Sequence, residues 1–266
     1  MLEGLIEAVR KKRPVIHCIT NYVTANDCAN MVLALGGSPI MADEPLEAAE
    51  VAGKCDALVL NTGTFSERTL KAMLLAGRRA NQMGIPVILD PVGCGFSGFR
   101  TQSVHKLLQE IRFAAVRANP SELIAALGKE SHARGVDASE QDGQAAGKQA
   151  AFQFAKQYGC VAAVTGSIDY VTDGTLITEL QNGHPALRRV TGTGCMCSAL
   201  VGCFCGCTQD YFAAAAAGVA TLGIAGERAF VKVQRGRAGT GSLRAFLIDG
   251  VSEMQDSDLS GGLRRA

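Results

Sequence analysis

The chain has 266 residues, 47% of them hydrophobic, and carries 26 Lys plus Arg against 25 Asp plus Glu. So even a balance creates no field to gather nucleic acid or a membrane surface, and no basic block interleaved with aromatics is present. Ten cysteines lie mostly in apolar segments, and the N-terminus lacks the apolar core and cleavage site of a signal peptide, so reduced, buried thiols in a cytoplasmic protein are expected.

In chain order, residues 1–10 show an amphipathic helix pattern. Residues 15–20 read as a strand followed by a helix to about residue 35, then 38–41 as a short strand and 44–55 as a helix. A strand over 57–61 precedes a helix over 66–83 that Ser66 can cap, and a strand over 86–90 runs into a glycine-rich loop ending at Gly98. Next come a strand over 114–119 and a helix over 121–128 capped by Asn119 or Ser121. The polar segment 129–143 is expected as a mobile loop and candidate lid, before a helix over 144–158 and a buried strand over 161–165. Residues 169–172 and 176–180 make a hairpin around Asp173-Gly174. Beyond Gly192 the chain is mainly helical, and its Ala- and Gly-rich run 211–226 falls short of a membrane span and reads as a buried helix. The β-α alternation predicts an α/β fold, with one domain over 1–266 and a mostly parallel sheet covered by helices on both faces.

In such sheets ligands sit beyond the carboxyl ends of the strands. The unusual chemistry gathers there: Asn61-Thr62-Gly63-Thr64, Asp90-Pro91-Val92-Gly93, Arg117-Ala118-Asn119-Pro120 and Thr165-Gly166 each follow an apolar strand. The run Gly192-Thr193-Gly194 stands just before an apolar helix. Glycines allow a tight turn that aims several N–H groups at one point, and the helix dipole adds its field, so this corner suits an anion.

Asp90 and Glu122 are candidate magnesium carboxylates, although a turn-capping Asp and a helix-start Glu are the simpler readings of each alone. Arg117 can take a phosphate bidentately or form a surface ion pair, and Thr165 offers a hydroxyl beside an approachable glycine backbone. Cys195, in the first helical turn, is placed where a thiol pKa should fall, yet none of the four histidines is spaced as its base. Cys203, Cys205 and Cys207 alternate along a helix, which disperses them around it and favours packing over metal ligation. There is no P-loop, and the glycines between 93 and 98 lack the acidic residue a dinucleotide site requires.

These residues sit within a longer pattern that resembles the hydroxyethylthiazole kinase family of the ribokinase-like superfamily over nearly the whole chain. The pattern runs through His17-Cys18-Ile19-Thr20-Asn21, Gly36-Gly37-Ser38-Pro39-Ile40-Met41-Ala42 and Leu60-Asn61-Thr62-Gly63-Thr64. It continues in Leu89-Asp90-Pro91-Val92-Gly93, Arg117-Ala118-Asn119-Pro120-Ser121-Glu122 and Val164-Thr165-Gly166. Val190-Thr191-Gly192-Thr193-Gly194-Cys195 and Gly239-Thr240-Gly241-Ser242 complete it.

The resemblance implies a three-layer ribokinase-like sandwich that phosphorylates hydroxyethylthiazole with ATP and Mg2+ in thiamine biosynthesis. It implies an anion hole at Gly192, Thr193 and Gly194, a metal-associated pair at Asp90 and Glu122, and ATP contacts at Arg117 and Thr165. Met41, Gly192 and Asn21 match the substrate side, and a homotrimer with active sites at subunit boundaries is expected. Cys195 falls where the wider superfamily has an Asp base and where thiazole kinases commonly have Cys. Ala118 replaces a usual Gly, and Cys94, Phe96 and Phe99 make the loop after Asp90 bulkier. Three rivals share these features: a pyrimidine-alcohol kinase, an ATP-dependent dehydratase of hydrated nicotinamide cofactors, and a binding protein without turnover.

Overall fold

The computed structural model describes residues 2–129 and 140–265. Eight strands form one sheet in the order β2-β1-β3-β4-β5-β6-β7-β8. The strands are β1 Val15–Ile19, β2 Ser38–Ile40, β3 Ala57–Asn61, β4 Val87–Asp90, β5 Ala115–Ala118, β6 Val161–Val164, β7 Asp169–Thr172 and β8 Ile177–Leu180. Pairing is parallel from β2 through β6 and antiparallel from β6 to β8. The hairpin is the expected one: Asp173 Oδ1 accepts the Thr175 and Leu176 N–H groups, and Gly174 takes a φ of 89°.

One face carries α1 Leu5–Lys12, α2 Ala25–Leu35, α8 Thr193–Cys205, α9 Tyr211–Gly236, α10 Thr240–Ser252 and α11 Asp256–Gly262. The other carries α3 Ala48–Ala52, α4 Glu67–Gln82, α5 Gly98–Glu110, α6 Pro120–Ala126 and α7 Glu140–Tyr158. Ala57, Val59, Ile88, Ala115, Val161 and Ala163 pack toward α8 and α9, whereas Leu58, Leu60, Leu89, Val116 and Val164 pack toward α4–α7. Strand residues alternate between faces. Asn61, Asp90, Arg117 and Thr165, next in the alternation at four adjacent strand ends, therefore all fall on the α8 side.

Several boundaries differ from expectation. Helix α5 fills residues to which no element was assigned: Ser97 Oγ accepts the Arg100 N–H as its cap, and Val104, Leu107 and Leu108 are buried. Helix α3 is shorter than 44–55, with turns on both sides and Gly53 at its C-cap. Helix α7 starts at Glu140, so the last four positions of the expected loop are helical; the lid reading falls on 130–139, outside the described residues. A short 3-10 turn, Pro185–Arg189, precedes the glycine corner. Helix α9 has 26 residues and is, by length and composition, long and apolar enough to cross a membrane, contrary to the shorter run read from sequence. Its most apolar window is 78% buried inside the protein, where Phe212 through Gly226 pack in the core. Cys203 and Cys205 are buried in that core as well.

Candidate active site

Helix α8 begins at the glycine corner. Gly192 is its N-cap with φ 81° and ψ 5°, a left-handed conformation that costs a side chain about 1–2 kcal/mol. A Cβ there would also run into Thr24 Cγ2, and one at Gly194 would run into the Arg117 guanidinium. Both glycines are thus required by close approach, the second because an arginine lies directly against the helix start.

Asp90 is fully buried. Its Oδ2 accepts from Asn61 Nδ2 and from Ser198 Oγ, each at 2.8 Å. Its Oδ1 is buried, has no hydrogen bond among the described residues and lies 3.8 Å from Arg117 Nη1. Burial pushes the carboxyl up to about 6 despite the opposing Arg117 charge. Arg117, with a side chain 13% exposed, donates to Thr165 Oγ1 through Nη2, while its Nε is buried and unpartnered. Burial works against the guanidinium charge, but Asp90 first and then Glu122 hold its pKa above the usual value.

Glu122 serves its helix directly. Its Oε2 accepts the Asn119 N–H and its Oε1 the Gly93 N–H, both at 3.0 Å, while Asn119 Oδ1 accepts the Glu122 N–H. This capping box settles the cap as Asn119 and also ties the loop after β4 to α6.

Cys195 Sγ accepts from Asn61 Nδ2 at 3.2 Å and from Asn21 Nδ2 at 3.4 Å. Its pKa is raised, not lowered as the helix start suggested. Burial and the nearby Asp90 outweigh the hydrogen bonds from Thr24, Asn61 and Asn21. The side chain is therefore a neutral thiol at pH 7.

Two clefts flank this seam. The first, about 700 Å³, opens where β1 and β3 diverge, at the point where the strand order reverses; Thr20, Tyr22, Met41, Gly63 and Arg68 line it. The second, about 800 Å³, is lined by Arg117, Thr165, Gly166, Asp169, Thr193 and Gly194 among others. Met41, Arg117, Thr165, Thr193 and Gly194 thus stand on cleft walls. Asn21 is buried behind Thr20 and Tyr22, Gly192 sits against Thr24, and Asp90 and Glu122 lie behind the second cleft.

Sequence reasoning assigned no role to Ser198, Arg100 or Asp169. Ser198 is a buried polar residue in an otherwise apolar helix, one turn after Gly194, which was a readable signal. Arg100 Nη2 donates to the Gly63 carbonyl at 2.6 Å and its Nη1 to the Val92 carbonyl at 3.2 Å, joining the loops after β3 and β4. Asp169 Oδ1 accepts the Gly166 N–H at 2.8 Å.

The Hydroxyethylthiazole kinase family profile matches residues 6–257. A hydroxyethylthiazole kinase of Ruminiclostridium cellulolyticum is 48% identical over 254 residues, 95% of this chain and 92% of its own. The solved hydroxyethylthiazole kinase of Pyrococcus horikoshii OT3 has a TM-score of 0.89 at 34% identity, covering 100% of this chain and 98% of that one. A Bacillus subtilis pyridoxal kinase, at 14% identity and a TM-score of 0.61 over 80% of this chain and 91% of its own, shares the fold. The family profile, the near-full-length relative and the solved kinase of the same fold agree, and the chain belongs to the hydroxyethylthiazole kinase family.

Proposed function

We propose that this protein, as one kinase domain over 1–266, transfers the γ-phosphoryl group of ATP to the primary alcohol of 4-methyl-5-(2-hydroxyethyl)thiazole. The observation that carries this reading is the glycine corner between the clefts. Thr193 and Gly194 line the second cleft, and the adjacent Cys195 is bonded to Asn21, which lies between two residues lining the first. The alcohol would enter past Met41, and the nucleotide would lie along Arg117 and Thr165. The N–H groups of Gly192, Thr193 and Gly194 would hold the phosphoryl group in flight. Such a site acts through positioning and charge stabilisation.

A loose transition state needs little proton removal before the new bond forms. A neutral Cys195 at the base position suits that course: it would orient the alcohol by a hydrogen bond, while the alcohol proton would pass to an oxygen of the transferred phosphoryl group. Magnesium fits the donor set: among the described residues the buried Asp90 Oδ1 has no hydrogen bond, and Glu122 offers further oxygen lone pairs from the first turn of α6. Asp90 and Glu122 would hold the ion, largely through water, and it would neutralise phosphate charge. A homotrimer in the cytoplasm completes the proposal. On the wall of the first cleft Tyr22 is 84% and Met41 40% exposed, apolar surface suited to a second subunit.

A coupled ADP-release assay with and without the thiazole, on wild type and Asp90→Ala, tests the reading. Thiazole-dependent release that collapses in the variant is expected. Release indifferent to thiazole would overturn the assignment and turn attention to pyrimidine alcohols and hydrated nicotinamides.

A further inference from the structure

Asn61, at the end of β3, is 3% exposed and uses every hydrogen-bonding position of its amide. Its Nδ2 donates to Asp90 Oδ2 at 2.8 Å and to Cys195 Sγ at 3.2 Å. Its Oδ1 accepts from Asn21 Nδ2 and from the Gly63 N–H, each at 2.9 Å. Turning the amide over would set an oxygen against a carboxylate oxygen and a sulfur, and its N–H groups against two donors. Only one orientation is therefore satisfied, and a buried amide satisfied at every position is held rigidly.

The four partners belong to different parts of the site. Gly63 lines the first cleft, and Asn21 sits between two of that cleft's lining residues. Asp90 faces Arg117 on the nucleotide side, and Cys195 opens α8. Register places Asn61 beside Asp90 across β3 and β4. Ser198 holds the same carboxylate oxygen from the helix above, leaving Oδ1 alone to face the phosphate side.

We infer that Asn61 is a positioning residue for phosphoryl transfer, locking the Asp90 carboxylate, the Cys195 sulfur and the substrate-side Asn21 into one geometry. This rests on the kinase reading above. The amide itself is required. Asn61→Asp keeps an acceptor for Asn21 and Gly63 but turns an oxygen toward Asp90, and Asn61→Ala leaves all four partners one bond short.

The test combines steady-state kinetics with melting and calorimetric binding of hydroxyethylthiazole and of the magnesium complex of AMP-PCP, for wild type, Asn61→Asp, Asn61→Ala and Ser198→Ala. Misplacing reacting groups by about 1 Å costs on the order of 10²-fold, so kcat is expected to fall roughly 10²-fold in both Asn61 variants. Both ligand affinities should stay within about threefold of wild type, the mark of an interaction that matters in the transition state. Ser198→Ala, which frees the same oxygen from one of its two partners, should show a smaller fall in kcat. If Asn61→Ala does not fold, Asn61→Asp and Ser198→Ala decide the matter. Wild-type kcat in the Asn61 variants, or a kcat loss matched by equal losses of both affinities, would overturn the inference alone. A wild-type protein without thiazole-dependent turnover would overturn the kinase reading and this inference with it.

Discussion

The two ends of α8 carry the same residue type in opposite surroundings. At the start, Cys195 receives two amide N–H groups and lies in a polar seam with Asn21, Asn61, Asp90 and Ser198. Further along, Cys203 is 0% exposed within an apolar cluster, its thiol pushed far up by burial. Burial raises both thiols, so neither is a thiolate at pH 7, and what sets Cys195 apart is its polar partners. The apolar end presses against the sheet so closely that a Cβ on Gly202 would lie 2.5 Å from Val59 Cγ2. Packing at that end fixes the helix, and the glycine corner is thereby held at a set height above the strand ends.

Four variants break or sharpen this contrast. The largest effect is expected of Asp90→Asn, which keeps the shape and removes the charge: kcat should fall about 10²–10³-fold, read by thiazole-dependent ADP release. Gly194→Ala comes next. Its methyl would displace the Arg117 guanidinium, and kcat/KM for ATP should drop by roughly one to two orders of magnitude in initial-rate measurements.

At the other end of α8, Cys203→Ala should leave kcat unchanged while costing about 1 kcal/mol in urea unfolding, since it removes only packing. The last variant concerns pH and leaves the catalytic seam untouched. Burial pushes the Asp169 carboxyl up to about 7. The folded state therefore holds that proton more tightly than the unfolded chain, in which the pKa is about 3.9, and stability drains as pH rises through that interval. Melting curves of Asp169→Asn should gain on wild type between about pH 4 and 7 and run parallel above it.

The sheet was legible because strands β1, β3, β4, β5 and β6 are short apolar runs, each closed by a polar or glycine-containing turn. Their alternation even fixed that Asn61, Asp90, Arg117 and Thr165 share a face, although that was visible only once the strands were paired. Helix α5 escaped because glycines at 93, 95 and 98 crowd its entry, although Ser97 and the spacing of Val104, Leu107 and Leu108 were there to read. The direction of the Cys195 shift was misread because a helix start is a local feature, whereas burial depends on what the rest of the chain packs around it. Glu122 shows the same limit: sequence placed it in the first helical turn, while the Gly93 N–H that occupies its other oxygen arrives from a distant loop. Ser198 and Asn61 meet on Asp90 only through the docking of α8 onto β3 and β4.

The most direct test of the account is to follow the phosphoryl group itself. Incubation of the wild-type protein with hydroxyethylthiazole and ATP labelled with 18O on the γ-phosphate, followed by mass spectrometry, reports where that group goes. Thiazole phosphate carrying the label, formed one for one with ADP, is expected. Labelled inorganic phosphate and ADP, with the alcohol unchanged, would contradict it.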